Sequence, residues 1–286
     1  MRLDESIEWT SASGDYVRCA PAGTPVHLDS VIGLDGLEQE IYSVKGSAQA
    51  GVSVSGTSLQ ERSIELQVSI ARNHAAYRRA LLRAFRPTPA PGTLVFRRGS
   101  EEWHISAYVE SAPVFADDLI ATGTISLVCP APALLAGSGV ANIAQWVDNI
   151  EFPFEIPSAG HDLSYRMPQL IVNAVNDGDM DAETRIELRV NGNATNPSLV
   201  NAVTQEHMSF TASLVAGDVL TVCTGYGKKR VTLLRGGVES NAYNMLDADS
   251  AWLTLHPGDN FLRYAADTGA DNIDVSIYYC SAYSGV

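Results

Sequence analysis

Residues 63–70 read Ser-Ile-Glu-Leu-Gln-Val-Ser-Ile, with an apolar side chain at every second position. That period predicts a strand with one buried and one wet face. Shorter apolar runs at 16–19, 32–41 and 51–54 precede it, the middle one interrupted by glycines. The period then changes. Asn73 is placed as a helix N-cap, and Tyr77, Ala80, Leu81, Ala84 and Phe85 fall on one face of a helix ended by Pro87 and Pro89. Arg78, Arg79, Arg83 and Arg86 occupy much of the rest, as a solvated or ion-pairing face. Alternation returns at 93–97, 102–109 and 122–129. The expected first core contains Ile64, Leu66, Val68, Tyr77, Leu81 and Phe85.

Pro130 to Leu134 ends this series, and Ala136-Gly137-Ser138-Gly139 reads as the start of a linker. The expected domains are therefore 1–136 and 137–286, with 144–157 as a connecting arm. Eight further strands are predicted at 169–175, 184–190, 208–214, 219–223, 230–234, 251–255, 260–265 and 274–279. Asn, Gly, Asp and Pro turns separate them, a pattern that suits a jelly-roll-like sandwich. Trp252 and Tyr264 sit in alternating patterns and are expected in its core, although sugar-stacking platforms look similar in sequence.

Charge narrows the function classes. The net charge is −14, with 11 Lys+Arg against 15 Asp+Glu in residues 1–136 and 8 against 18 in the remainder. So acidic a chain is a poor partner for sequence-specific duplex binding, which neutralises phosphates with Lys and Arg. No apolar run approaches a membrane span, and the first residues lack the basic and apolar regions of a secretory signal. Synthesis in a cytosol is expected.

Candidate chemistry is sparse. Cys19, Cys129, Cys223 and Cys280 are scattered without ligand-like spacing. A Cys223–Cys280 disulfide is left open, with reduced thiols favoured in a cytosol. His27, His74, His104, His161, His207 and His256 stand alone in sequence and read as structural. Asp177, Asp179 and Asp181 alternate as calcium ligands can, but the rest of an EF-hand loop is missing, which favours an acidic hairpin turn. Gly225-Tyr226-Gly227-Lys228-Lys229 lacks the spacing of a phosphate loop and reads as a lysine-bearing hairpin. The Gly-x-Ser-x-Gly nucleophile elbow does not occur. No catalytic, cofactor-binding or metal-binding residue is assigned, no cofactor is expected, and the chain is not expected to be an enzyme.

Two stretches carry a resemblance. The first runs through Ile32-Gly33-Leu34-Asp35-Gly36-Leu37, the glycines Gly46, Gly51 and Gly56, the strand at Arg62 to Leu66, the helix Tyr77 to Pro87, Pro113-Val114-Phe115, and Ile125 to Pro130. The second runs from Gly217-Asp218 through Val219 to Val222, Gly227-Lys228-Lys229, Val231 to Leu234, Asn241, Asp249 to Trp252, Leu255 to Asn260 and Tyr264. In this order the chain resembles the distal tail proteins of long-tailed bacteriophages. The resemblance implies a mainly β architecture. A β-sandwich or β-barrel-like ring domain with one α-helix would be followed by a jelly-roll or galectin-like β-sandwich. It implies a homohexameric hub ring that continues the tail tube as a DNA conduit. Its implied partners are the tail tube protein, a tail tip or tail-associated protein and receptor-binding components. Its implied place is the virion, after assembly in the host cytoplasm. The flat, small-sided segment at 48–57 suits either a hairpin packed between ring neighbours or an ordinary exposed hairpin or loop. The alternative is a carbohydrate-binding module acting directly in host adhesion. The chain carries no long insertion of the kind that houses an additional carbohydrate-binding module.

Overall fold

The computed structural model describes residues 4–47, 49–70, 74–115, 120–143, 146–148, 164–166 and 171–286. Asn73, His161 and most of the 144–157 arm lie outside the described residues. The chain divides into two compact units, Met1–Gly137 with Tyr283–Val286, and Ser138–Ala282.

The first unit contains β1 (Glu5–Thr10), β2 (Tyr16–Cys19), β3 (Val26–Ile32), β4 (Gln39–Val44), β5 (Ser53–Leu59), β6 (Arg62–Ile70), α1 (His74–Ala84), β7 (Gly92–Arg98), β8 (Glu101–Ser111) and β9 (Ala121–Cys129), and β10 (Leu134–Ile143) begins in it. The antiparallel order is β3-β6-β9-β8-β7-β1-β2. Strand β8 pairs with β7 in its first part and with β9 past Ala107, and its Trp103 and His104 also pair with the start of β10. The outer strands β2 and β3 meet at an Ala20–His27 bridge and a 3.0 Å bond from Leu28 N–H to the Ala20 carbonyl. The strands thus curl around a core without forming a closed barrel.

The period-two pattern of β6 has its expected result. Ile64, Leu66 and Val68 are buried while Ser63, Glu65 and Gln67 are exposed. Leu81, Ala84 and Phe85 bring α1 onto this core, with Tyr77 partly buried against it. Trp9 on β1 fixes the end of α1. Its indole Nε1–H donates to the Ala84 carbonyl at 2.8 Å, and its ring stacks on Phe85 at 5.2 Å. The helical arginines face outward: Arg83 pairs with Asp15 at 2.8 Å, and Arg78 lies over the Phe115 ring.

The second unit holds the rest of β10, then β11 (Trp146–Asp148), β12 (Ser164–Arg166), β13 (Ile171–Asn176), β14 (Thr184–Val190), β15 (Ala194–Asn201), β16 (His207–Ser209), β17 (Ser213–Leu214), β18 (Val219–Cys223), β19 (Arg230–Arg235), β20 (Val238–Asn241), β21 (Gly258–Thr268) and β22 (Ile273–Tyr283). One sheet runs β10-β22-β14-β18-β19-β20, the other β13-β21-β15-β16 with β17 also on β15. Buried Ile186, Leu188, Leu220, Val222, Val275 and Ile277 come from the first sheet, and Leu199, Met208, Leu262 and Tyr264 from the second. This is the sandwich that the alternating pattern predicts.

Three local expectations need correction. Residues 136–139 are part of strand β10 rather than a linker. Gly139 is small for contact, since a Cβ there would collide with the Tyr279 ring. Residues 251–255 form no strand; only Leu255 makes a bridge, to Ala182. Strand β15 was hidden by Asn196-Pro197, a turn signal. Asn196 takes a positive φ of 49°, at the point where β15 changes partner from β17 to β16.

Candidate functional site

Two surfaces stand out among the described residues. The first surface is the β4–β5 hairpin, whose two strands pair only with each other among the described residues. Of its strand residues all but Gly56 are exposed. Its register is held by polar contacts. Tyr42 Oη donates to Glu40 Oε2 at 2.9 Å, Ser55 Oγ donates to the Tyr42 carbonyl at 3.1 Å, and Gln49 Nε2 donates to Ser53 Oγ at 2.8 Å. Those bonds leave Ile41, Val44, Val52, Val54 and Leu59 pointing at solvent, each between 49% and 63% exposed. An isolated two-stranded ribbon is marginal in water, and an apolar one invites pairing.

The second surface is the outward face of the β22-β14-β18-β19-β20 sheet. At its centre Glu187 is buried between Arg185 and Arg189, and Arg185 also lies over the Tyr278 ring at 5.5 Å. At its edge Tyr243 is 55% exposed, with its ring 6.0 Å from Trp252. Trp252 is half-buried and carries Lys229 over its ring at 5.5 Å. It therefore lies at the margin of the sandwich rather than in its core, whereas Tyr264 is fully buried. With no strand at 251–255, period-two reasoning had no purchase on Trp252.

The remaining candidates resolve individually. The 176–181 turn is organised by Asn176, whose Nδ2 donates to the Met180 and Leu255 carbonyls at 2.7 and 2.9 Å. Asp181 turns to His256 Nδ1 at 2.8 Å, and Glu206 approaches His256 Nε2 at 3.3 Å. His256 is therefore not solitary. Burial pulls its pKa down, but hydrogen bonds and charge from Glu206 and Asp181 outweigh that, leaving it above the ordinary value. These partners come from three separate loops, so sequence spacing could not reveal them. Among the described residues no group of three His, Cys, Asp or Glu is placed to hold a metal ion.

Gly225 to Lys229 form the loop between β18 and β19, where Tyr226 N–H donates to Glu183 Oε1 at 2.9 Å. All four cysteines are free thiols, Cys223 and Cys280 included. Burial pushes the Cys19 and Cys129 thiols up to about 12, which keeps them protonated and inert. No helix among the described residues is long and apolar enough to cross a membrane.

Residues 177–283 match the family described as siphovirus-type tail component, C-terminal domain. No curated protein matches the sequence of the chain. Among solved structures, the chain is similar to the Dit protein (gp 19.1) of phage SPP1, described as a paradigm of the hub adsorption apparatus in phages infecting Gram-positive bacteria. The TM-score is 0.65 at 12% identity, over 97% of this chain and 98% of that one. It is also similar to a chain of the phage P2 baseplate in its activated conformation with calcium, with a TM-score of 0.52 at 9% identity over the whole of both chains. Residues 177–283 thus match a siphovirus-type tail-component C-terminal domain, and the chain as a whole has a fold like that of SPP1 Dit.

Proposed function

We propose that this protein is a non-enzymatic hub of a phage tail tip, assembling through its first unit into a homohexameric ring that continues the tail tube as a DNA conduit. The second unit docks tip and receptor-binding proteins, and the assembled ring resides in the virion after assembly in the host cytoplasm. The observation that carries this reading is the exposed apolar β4–β5 hairpin. Its side chains have no core of their own to join, and a second copy of the chain can cover them. Cyclic closure satisfies every such ribbon at once and leaves no open edge to nucleate aggregates. The fold shared with SPP1 Dit, described as a hub, supports the same reading. An acidic chain of net charge −14 would also not hold passing DNA by phosphate neutralisation.

The test is electron microscopy and light scattering of the full chain at micromolar concentration, beside an Ile41→Asp/Val54→Asp variant. Six-fold rings with a central hole are expected from the parent chain and monomers from the variant. A parent chain that remains monomeric both alone and with tail tubes would refute the ring. Rings that survive the double substitution would remove the hairpin from the interface.

A further inference from the structure

The second unit carries 18 Asp+Glu against 8 Lys+Arg across residues 137–286, yet three of those cations are consecutive, Lys228, Lys229 and Arg230. Elsewhere in this unit Arg185 and Arg189 are matched to Glu187, and Arg235 to Asp218. Among the described residues Lys228 and Arg230 make no ion pair, and Lys229 lies over Trp252. They stand beside a groove of about 360 Å³ on the β19–β20 edge, lined by Lys229, Arg230, Thr232, Glu239, Asn241 and Tyr243.

Strand register explains why these side chains converge. Thr232 pairs with Asn241 and Leu234 with Glu239, so alternate positions of the two strands share one face. Arg230 lies two residues before Thr232 on that face. Tyr243 follows on a short 3-10 turn, anchored where the buried Ala242 N–H donates to the Val231 carbonyl at 2.9 Å. Asn241 accepts the Tyr243 N–H on Oδ1 at 2.9 Å, which fixes its amide and leaves Nδ2 free to donate. The groove thus offers one exposed aromatic face, a fixed amide donor, a hydroxyl, a carboxylate acceptor and two cations.

We infer that this groove binds a short acidic saccharide, one that carries carboxylate or phosphate substituents. A sugar ring presents an apolar C–H face for Tyr243 and hydroxyls for Thr232, Asn241 and Glu239, while Lys229 and Arg230 take the acid group. The volume lies at the small end of the roughly 300–1,000 Å³ range of ligand sites, which suits one or two sugar rings. A nucleic acid fits less well, because a polyphosphate needs an extended basic track and this basic run is flanked by an acidic domain. This inference is independent of ring assembly.

Calorimetric titration of the full chain tests it, with tetragalacturonate and a 6-phosphomannosyl oligosaccharide as carboxylate and phosphate probes. Maltotetraose, inorganic phosphate and a single-stranded oligonucleotide serve as controls. At least one acidic saccharide is expected to bind at least tenfold more tightly than every control. Tyr243→Ala and Arg230→Gln are each expected to weaken that binding at least tenfold, with thermal unfolding unchanged because both side chains are exposed. The inference is overturned if neither acidic saccharide binds, or if both variants bind as the parent does. It is equally overturned if inorganic phosphate, the oligonucleotide or the neutral sugar binds as tightly.

Discussion

Arg62 and Ser284 stand 222 positions apart in sequence, yet Arg62 Nη2 donates to the Ser284 carbonyl at 2.5 Å. The same guanidinium donates to the carbonyls of Pro132, Gly33 and Asp35, each at 2.7 Å. A residue 4% exposed therefore ties together four carbonyls from three backbone segments of the first unit, Ser284 near the end of the chain among them. Burial lowers its pKa, and nearby Cys129 and Asp35 oppose that shift.

Replacing this hub by an apolar side chain of similar length leaves four inward carbonyls without their donor. Arg62→Met is expected to destabilise the first unit by about 3 kcal/mol, given net values near 1.5–3 kcal/mol for hydrogen bonds to charged groups. Removing residues 283–286 is expected to cost less, because it deletes one of the four acceptors and the Val286 N–H bond to the Leu34 carbonyl. Urea unfolding of the three chains checks the order. Equal midpoints for the parent and Arg62→Met would refute the hub.

Strand β6 shows what the sequence reveals well. Its alternation places Ile64, Leu66 and Val68 correctly, because a strand with one buried face writes its period directly into the residue types. Arg62 belongs to the same strand and was legible only as a polar residue at its start. Its role depends on carbonyls from three distant segments, which leave no mark on local composition. The surfaces divide in the same way. The flat segment of small residues is legible as a turn and part of a hairpin, while its exposed apolar side chains required knowing that no other described strand pairs with it. The Tyr243 groove depends on the Thr232–Asn241 register, and the His256 cluster on three loops meeting. Small residues mislead in another way: Gly139 has the composition of a linker and the environment of a packed strand.

His256 makes the stability of the second unit depend on pH. Its folded pKa lies above the ordinary 6.5, because Glu206 and Asp181 more than offset burial. Such a group contributes stability that is fully present below its unfolded pKa of about 6.5 and is lost as pH rises through the higher folded value. The difference in melting temperature between pH 6 and pH 9 is therefore expected to be larger in the parent chain than in His256→Gln. The comparison with the variant cancels the titration of all other groups. A variant that loses as much as the parent over this interval would dissociate the pH dependence from His256.

Gly92 and Trp9 form a coupled pair at the back of the first core. A Cβ on Gly92 would stand 2.5 Å from Trp9 Cζ2, 2.6 Å from Cη2 and 2.7 Å from the Thr10 carbonyl oxygen. The indole cannot retreat freely, since it stacks on Phe85 and its Nε1–H is bound to the Ala84 carbonyl. Gly92→Ala is accordingly expected to cost about 1–3 kcal/mol, the range of overpacking in a filled core. Trp9→Phe is also destabilising, because it empties volume and leaves the Ala84 carbonyl without its donor. The smaller ring, however, removes the atoms that the new methyl would strike. The double variant is therefore expected to be more stable than the two single costs would give if they added, with a coupling of at least about 0.5 kcal/mol. Strict additivity in a denaturant-unfolding cycle would mean that the Thr10 backbone, and not the indole, sets the requirement for glycine at this position.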